Sequence, residues 1–145
     1  MDAPIEFFNQ LVRTEILLFD RMDERMKANH GVTVGTVNVL SLLAGIEHPR
    51  VDDLVRALDL RVGTASKIVD RYVEAGWIER VANPHDRRSS WLVVTAAGRE
   101  LLEAARPAFE VGVRDLAAGL STAEQATLQK LLGKLAASIE GAQPS

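Results

Sequence analysis

The sequence predicts a mainly α-helical fold with a small β-hairpin wing, that is, a winged helix-turn-helix flanked by terminal dimerisation helices. Three observations predict it. Several short helical segments are followed by two β-type runs, Trp77–Val81 and Ser90–Val94, around a polar link. The helical segments at both ends are rich in alanine and leucine and apolar around much of their circumference. Finally, 145 residues with 47% hydrophobic and 26% charged content suit one globular domain, residues 1–145.

From the N-terminus, apolar residues at positions 5, 8, 12, 16, 19, 22 and 26 form a helical stripe, with Pro4 suited to the first turn and Gly31 to the stop. At about 1.5 Å per residue such a helix exceeds about 30 Å, long for this chain, so part of it is expected to pack outside its own subunit. Thr33 is a plausible N-cap for Val34 to about Ala44. A short helix, Asp52 to Leu58, leads through the connector Asp59-Leu60-Arg61 to a helix from Val62 to about Ala75, ended by Gly76. The hairpin follows, its tip running from Ala82 to Ser89. Trp77 and Trp91 are expected to pack as a cross-strand or core pair. Thr95 caps a helix from Ala96 to about Ala118, in which Pro107 should cause a kink or break. Ser121 and Glu124 form a capping box for Thr122 to Glu140, and Gln143-Pro144-Ser145 should fray.

This order assigns residues 32–95 to the winged lobe, and residues 1–30 and 96–141 to dimerisation helices. Leu101, Leu102, Ala105, Phe109, Val113, Leu116 and Leu120 cover more than one helix face, as do Leu128, Leu131, Leu132, Leu135 and Ile139. One subunit this small can hardly cover them, and a symmetric homodimer is the simplest solution.

Charge is distributed unevenly. The net charge is −3, yet residues 61–88 hold six basic residues against four acidic ones, so the acidic excess lies elsewhere. That local surplus permits a polyanionic partner. With no cysteine, disulfides, thiolate catalysis and thiol redox sensing are excluded. His30, His48 and His85 show no metal-ligand spacing, so no metal or other cofactor is expected. No phosphate-binding glycine loop, serine nucleophile elbow or spaced carboxylate pair is present, which argues against an enzyme. No apolar run reaches the about 20 residues of a membrane span, and Met1-Asp2-Ala3-Pro4 opens no signal peptide. A cytoplasmic protein without a membrane partner is expected.

Residues Val51-Asp52-Asp53-Leu54-Val55 through Asp59-Leu60 resemble the first half of the MarR-family helix-turn-helix. The stretch Ala65 to Arg80 is similar to its recognition helix and first wing strand, Asn83-Pro84-His85-Asp86-Arg87-Arg88 to its wing tip, and Val93-Val94-Thr95-Ala96-Ala97-Gly98 to its second wing strand and following helix. These segments cover about half the chain, and the Asp-Arg-Arg wing is the most specific of them. Arg61 departs from the pattern, standing where the family commonly has a serine-like N-cap. The resemblance implies an intertwined dimer that binds double-stranded DNA at an inverted repeat. It further implies a repressor whose lobes are released by a small ligand.

On the recognition helix Val62, Ala65, Val69, Tyr72 and Val73 should face the core, with Ile68 beside them. Arg61, Thr64, Ser66, Lys67 and Arg71 are the candidate DNA contacts in the major groove, since residues near a recognition helix N-terminus reach base edges. From the helix alone a solvated polar face is the favoured reading. The wing and the resemblance shift it to DNA contact. Arg71 has two open roles, a phosphate contact or an ion pair with Asp70 or Glu74. In the wing, Arg87 and Arg88 suit a narrow minor groove, the resemblance pointing to Arg88, while Asp86 orients Arg88 or braces the loop. For the ligand, Arg13, Asn38 and Ser41 are the polar groups in otherwise aliphatic candidate walls, which favours an apolar or aromatic molecule with one anionic group. The alternative function is a winged-helix protein-interaction module or a small-molecule-sequestering protein without specific DNA binding.

Overall fold

The first helix, α1 (Ala3–His30), carries proline in its opening turn, where the missing N–H removes no hydrogen bond, and ends at Gly31, left-handed at φ 66°. A computed structural model describes residues 2–142, and the C-terminal tripeptide expected to fray lies outside them. After α1 come α2 (Val34–Ala44), α3 (Val51–Leu58), α4 (Val62–Glu74), β1 (Ile78–Ala82), β2 (Ser90–Val94), α5 (Ala96–Leu116) and α6 (Thr122–Gly141). The strands pair antiparallel, with Ile78 opposite Val94 and Ala82 opposite Ser90. No helix among the described residues is long and apolar enough to cross a membrane. The chain divides into two units, one ending at Glu110 and the other beginning at Val111.

In the first unit, α2 occupies the centre of the core. Its apolar residues point in several directions, and Val34, Val37, Val39, Leu40 and Leu43 are all buried. Around them pack Met22 and Met26 of α1, Leu54 of α3, Ala65, Val69 and Tyr72 of α4, Ile78, Leu92 and Val94 of the hairpin, and Leu102 and Ala105 of α5. The buried hydroxyl of Thr36 is satisfied: it accepts from the Tyr72 hydroxyl at 3.0 Å and lies 3.0 Å from Thr33 Oγ1.

Specific polar joins hold these elements in place. Thr33 caps α2, its Oγ1 accepting from the Thr36 N–H at 3.1 Å. The Val34 N–H, left free at the same helix start, donates to Asp23 Oδ1 of α1 at 2.9 Å. Lys27 lies 2.9 Å from the other Asp23 oxygen; its hydrogen bond, followed by that from Val34, holds the Asp23 carboxyl below its ordinary value, and Asp23 in turn raises Lys27. Leu92 N–H donates to Pro49 C=O at 2.7 Å, tying the approach to α3 against β2. At the base of the wing, Thr95 N–H donates to Trp77 C=O at 2.9 Å and Thr95 Oγ1 accepts from Gly98 N–H at 3.1 Å. A Cβ on Gly98 would collide with the Trp77 carbonyl, which is why glycine stands there.

Four expectations need correction. Trp77 and Trp91 do not pair: β1 starts one residue later than expected, leaving Trp77 before the strand and edge-on to Tyr72 at 5.4 Å, while Trp91 stacks on His48 at 4.0 Å. Val62 does not join the core and is 64% exposed. Pro107 does not break α5. Residues 103 and 107 are both exposed, so water can serve the Glu103 carbonyl that the proline cannot. Finally, α5 ends at Leu116, short of Ala118.

The second unit holds the end of α5 and α6. Ser121 and Glu124 form the expected capping box, with reciprocal bonds of 3.1 and 2.8 Å. No residue of α6 is buried, and Leu128, Leu131, Leu132 and Ile139 are 43–63% exposed.

Candidate nucleic-acid interface

The start of α4 governs the geometry of this surface. α3 closes at Asp59, left-handed at φ 50°, and the Leu60 N–H returns to the Val55 carbonyl at 3.1 Å, so that α4 begins within three residues. Arg61 is the N-cap in extended backbone, but its side chain makes no cap hydrogen bond. The first helical bond is Ala65 N–H to Arg61 C=O at 3.0 Å, so the N–H groups of Val62, Gly63 and Thr64 have no acceptor in the helix. Space opposite Gly63 is open. Free amides at the positive end of a helix dipole suit an anionic group such as a phosphate.

Ala65, Val69 and Tyr72 anchor the inner face of α4. Thr64, Lys67 and Arg71 are exposed on the outer face, while Ser66 is only half-buried and so less available than the sequence suggested. Of the two readings of Arg71, the ion pair is absent: Asp70 is held by Arg80 of β1, and Arg71 pairs with neither Asp70 nor Glu74 among the described residues. Lys67 and Arg71 share one outward hollow with Thr64 and Ile68.

The wing tip is held by its own side chains. Asn83 Oδ1 accepts from His85 N–H at 2.9 Å, and Asp86 Oδ1 accepts from Arg88 N–H at 2.9 Å. Asp86 therefore braces the loop through the backbone, leaving the guanidiniums of Arg87 and Arg88 exposed.

A cleft of about 360 Å3 joins the start of α3, the start of α4 and the wing; Arg50, Arg80 and Arg88 line it together with Val62. Sequence reasoning missed Arg50, although its place just before Val51-Asp52-Asp53 marked it as the entry to the first helix of the motif. Its N–H donates to Asp53 Oδ2 at 2.7 Å, which leaves the side chain exposed at the cleft.

Of the candidate ligand residues, Arg13 is exposed on α1, and Asn38 and Ser41 are exposed one turn apart on α2. None of the three lines the basic cleft or the hollow beside Lys67.

Residues 30–89, the span from the end of α1 to the wing tip, match the profile of the MarR family. A candidate transcriptional regulatory protein for the hcr operon of Thauera aromatica is 31% identical over 125 residues, covering 86% of this chain and 75% of the relative. The multiple antibiotic resistance protein MarR of Salmonella typhimurium is 28% identical, covering 93% of this chain and 99% of the relative. In fold, the chain is similar to Sco3205, a MarR family transcriptional regulator from Streptomyces coelicolor solved in complex with DNA. The TM-score is 0.86 at 24% identity, covering 100% of this chain and 95% of that one. It is also similar to a mutant MarR from Escherichia coli complexed with operator DNA, with a TM-score of 0.78 at 24% identity over 93% and 99% of the two chains.

Proposed function

The chain belongs to the MarR family, and from that premise we propose that it is a dimeric, sequence-specific DNA-binding transcriptional regulator, acting as a repressor. One observation carries the reading: an uncapped recognition helix with unpaired Lys67 and Arg71 stands beside a braced wing whose Arg87 and Arg88 are free. In this reading α4 enters the major groove, Thr64 and Lys67 meet base edges or phosphates, Arg71 and Arg50 meet phosphates, and Arg88 enters the minor groove. Residues 32–95 form the DNA-binding lobe, and the terminal helices form the dimer of a cytoplasmic, non-enzymatic protein.

The test is in vitro selection from random duplex DNA followed by binding across a salt series. The expected product is an inverted repeat with half-sites about one helical turn apart, and an affinity falling steeply with salt as phosphate contacts displace counterions. Binding unchanged between low and physiological salt would overturn it.

Release by a small apolar or aromatic ligand belongs to the same proposal, with Arg13, Asn38 and Ser41 as its polar contacts. A ligand that empties the operator must prefer the DNA-incompetent state by several kcal/mol. It therefore raises the melting temperature of the free dimer while weakening the gel-shift complex. A screen of aromatic acids and phenols that moved neither observable would remove the ligand and leave the DNA-binding claim.

A further inference from the structure

We propose that Val62 reads a thymine methyl group in each half-site, which makes it a specificity-determining residue of the recognition helix; the inference rests on the DNA-binding reading above. At 64% exposure Val62 is the most exposed large apolar side chain among the described residues. Between the end of α1 and Val111 only one other large apolar side chain is exposed, Val93 at 39% on a hairpin strand. Every other such residue lies on α1 or from Val111 onward, in the terminal segments assigned to the dimer. Val62 therefore stands alone on the surface assigned to DNA.

Its position gives that exposure a use. Val62 is the first residue of α4, in the stretch of a recognition helix that meets base edges. It lines the cleft with Val51, Asp52 and Val55 of α3 and with Arg50, Arg80 and Arg88. Arg80 is held by Asp70, so this exposed apolar side chain stands beside the two guanidiniums, Arg50 and Arg88, that suit phosphates. Gly63 beside it meets nothing within 4 Å of where a Cβ would stand, and the backbone there can come close to a ligand. Valine gains the fold little at this site, because it is a weaker helix former than alanine and buries little here. What it offers is a branched apolar surface with a stiff χ1, which loses little freedom on contact. The major groove displays one apolar group, the C5-methyl of thymine. Valine makes no hydrogen bond, so the methyl is the one base feature it can select.

The experiment takes the operator found by selection and replaces each thymine of a half-site in turn with deoxyuridine, which removes the methyl and nothing else. For the wild-type protein, one position per half-site is expected to lose about fourfold in affinity, the worth of one buried carbon. In Val62→Ala that loss disappears, whereas Val62→Ile keeps it. Cytosine at the same position binds weakly, and 5-methylcytosine recovers part of the affinity for wild type but not for Val62→Ala. A deoxyuridine loss of equal size in wild type and Val62→Ala, or no loss at any thymine in wild type, overturns the assignment while leaving DNA binding intact. Failure to select any duplex sequence would instead remove the DNA-binding reading, and this inference with it.

Discussion

The winged lobe and the terminal helices treat their apolar residues in opposite ways. In the lobe, α2, α3, α4 and the hairpin bury Leu40, Leu43, Leu54, Val69, Ile78 and Leu92 almost completely. On α1, Ile5, Phe7, Phe8, Val12, Ile16, Leu17, Leu18 and Phe19 are 38–63% exposed, and the stripe sinks into the core only at Met22 and Met26. α6 buries nothing. Both regions follow helical periodicity, so the difference lies in what is available to cover them. The lobe is complete within one chain. The ends carry exposed apolar surface far beyond what single scattered residues explain, and a second copy of the chain supplies the cover in the proposed dimer.

The largest expected effect breaks that contrast at the ends. Combining Phe8→Glu with Leu131→Glu places charges in the proposed shared core. Each then faces the desolvation cost of a buried unpaired charge. Sedimentation is expected to show loss of the dimer of about twice 15.8 kDa, with aggregation or unfolding of the chain. A well-folded dimer carrying both substitutions would show that these faces are simply solvated.

A smaller effect strikes the lobe from within. In Gly98→Val the new side chain meets the Trp77 carbonyl and Val94, at the join that seats the wing on α5. Overpacking of this kind is expected to cost about 3 kcal/mol, read as a lower urea midpoint. The dimer should persist, because the substitution leaves α6 and the N-terminal part of α1 untouched. An unchanged midpoint would mean that the wing base gives way easily.

Local chemistry explains which features could be read from the sequence. Gly31, Thr33, Thr95 and the Ser121–Glu124 pair sit where a helix end needs them, and those ends fall as expected. Asp86 was legible for the same reason, since an Asx turn depends on residues two apart. Val62 was not: its spacing places it in line with Ala65 and Val69, but in the first turn of α4 it faces the basic cleft instead of a packed neighbour. The tryptophans misled because partnership across a hairpin depends on strand register, and β1 begins after Trp77. The Asp70–Arg80 pair joins a helix to the strand that follows it, across ten residues, and Arg50 meets Arg80 and Arg88 from a distant segment; neither meeting follows from a helical or strand period.

On the DNA face, Arg88→Ala is expected to weaken operator binding by about 1–3 kcal/mol and relax preference at flanking A·T positions. The dimer and the urea midpoint should not move, because the Arg88 backbone N–H still reaches Asp86. Lys67→Ala should either change base preference in the half-site or lower the salt slope by about one unit, according to whether it meets a base or a phosphate. Unchanged binding in both variants would remove the interface assignment while leaving the fold as described.

The smallest effect lies where the two regions join, at Asp23 on the buried end of α1. Its carboxylate accepts from the Val34 N–H and meets Lys27, and both interactions favour the charged form. The folded carboxyl therefore titrates below its ordinary value, so its contribution is fully present above that value and disappears as pH falls through the folded one. Lys27 is shifted upward, and its share is intact at neutral pH and lost only in strong alkali. Both groups are near the surface, so the ion pair is screened by water, and most of the stabilisation comes from satisfying the helix amide. Asp23→Ala should then cost about 1 kcal/mol at neutral pH, comparable to losing an N-cap. Asp23→Asn keeps an oxygen for Val34 but no charge for Lys27, and should cost less. The gap in urea midpoint between wild type and Asp23→Asn should narrow steadily as the buffer is acidified below about pH 4, where the carboxyl of the unfolded chain protonates before that of the folded one. A gap that stayed constant from neutral to acid pH would show that the Asp23 charge contributes nothing, and that α1 is tied to α2 by the Val34 hydrogen bond and the packing of Met22 and Met26.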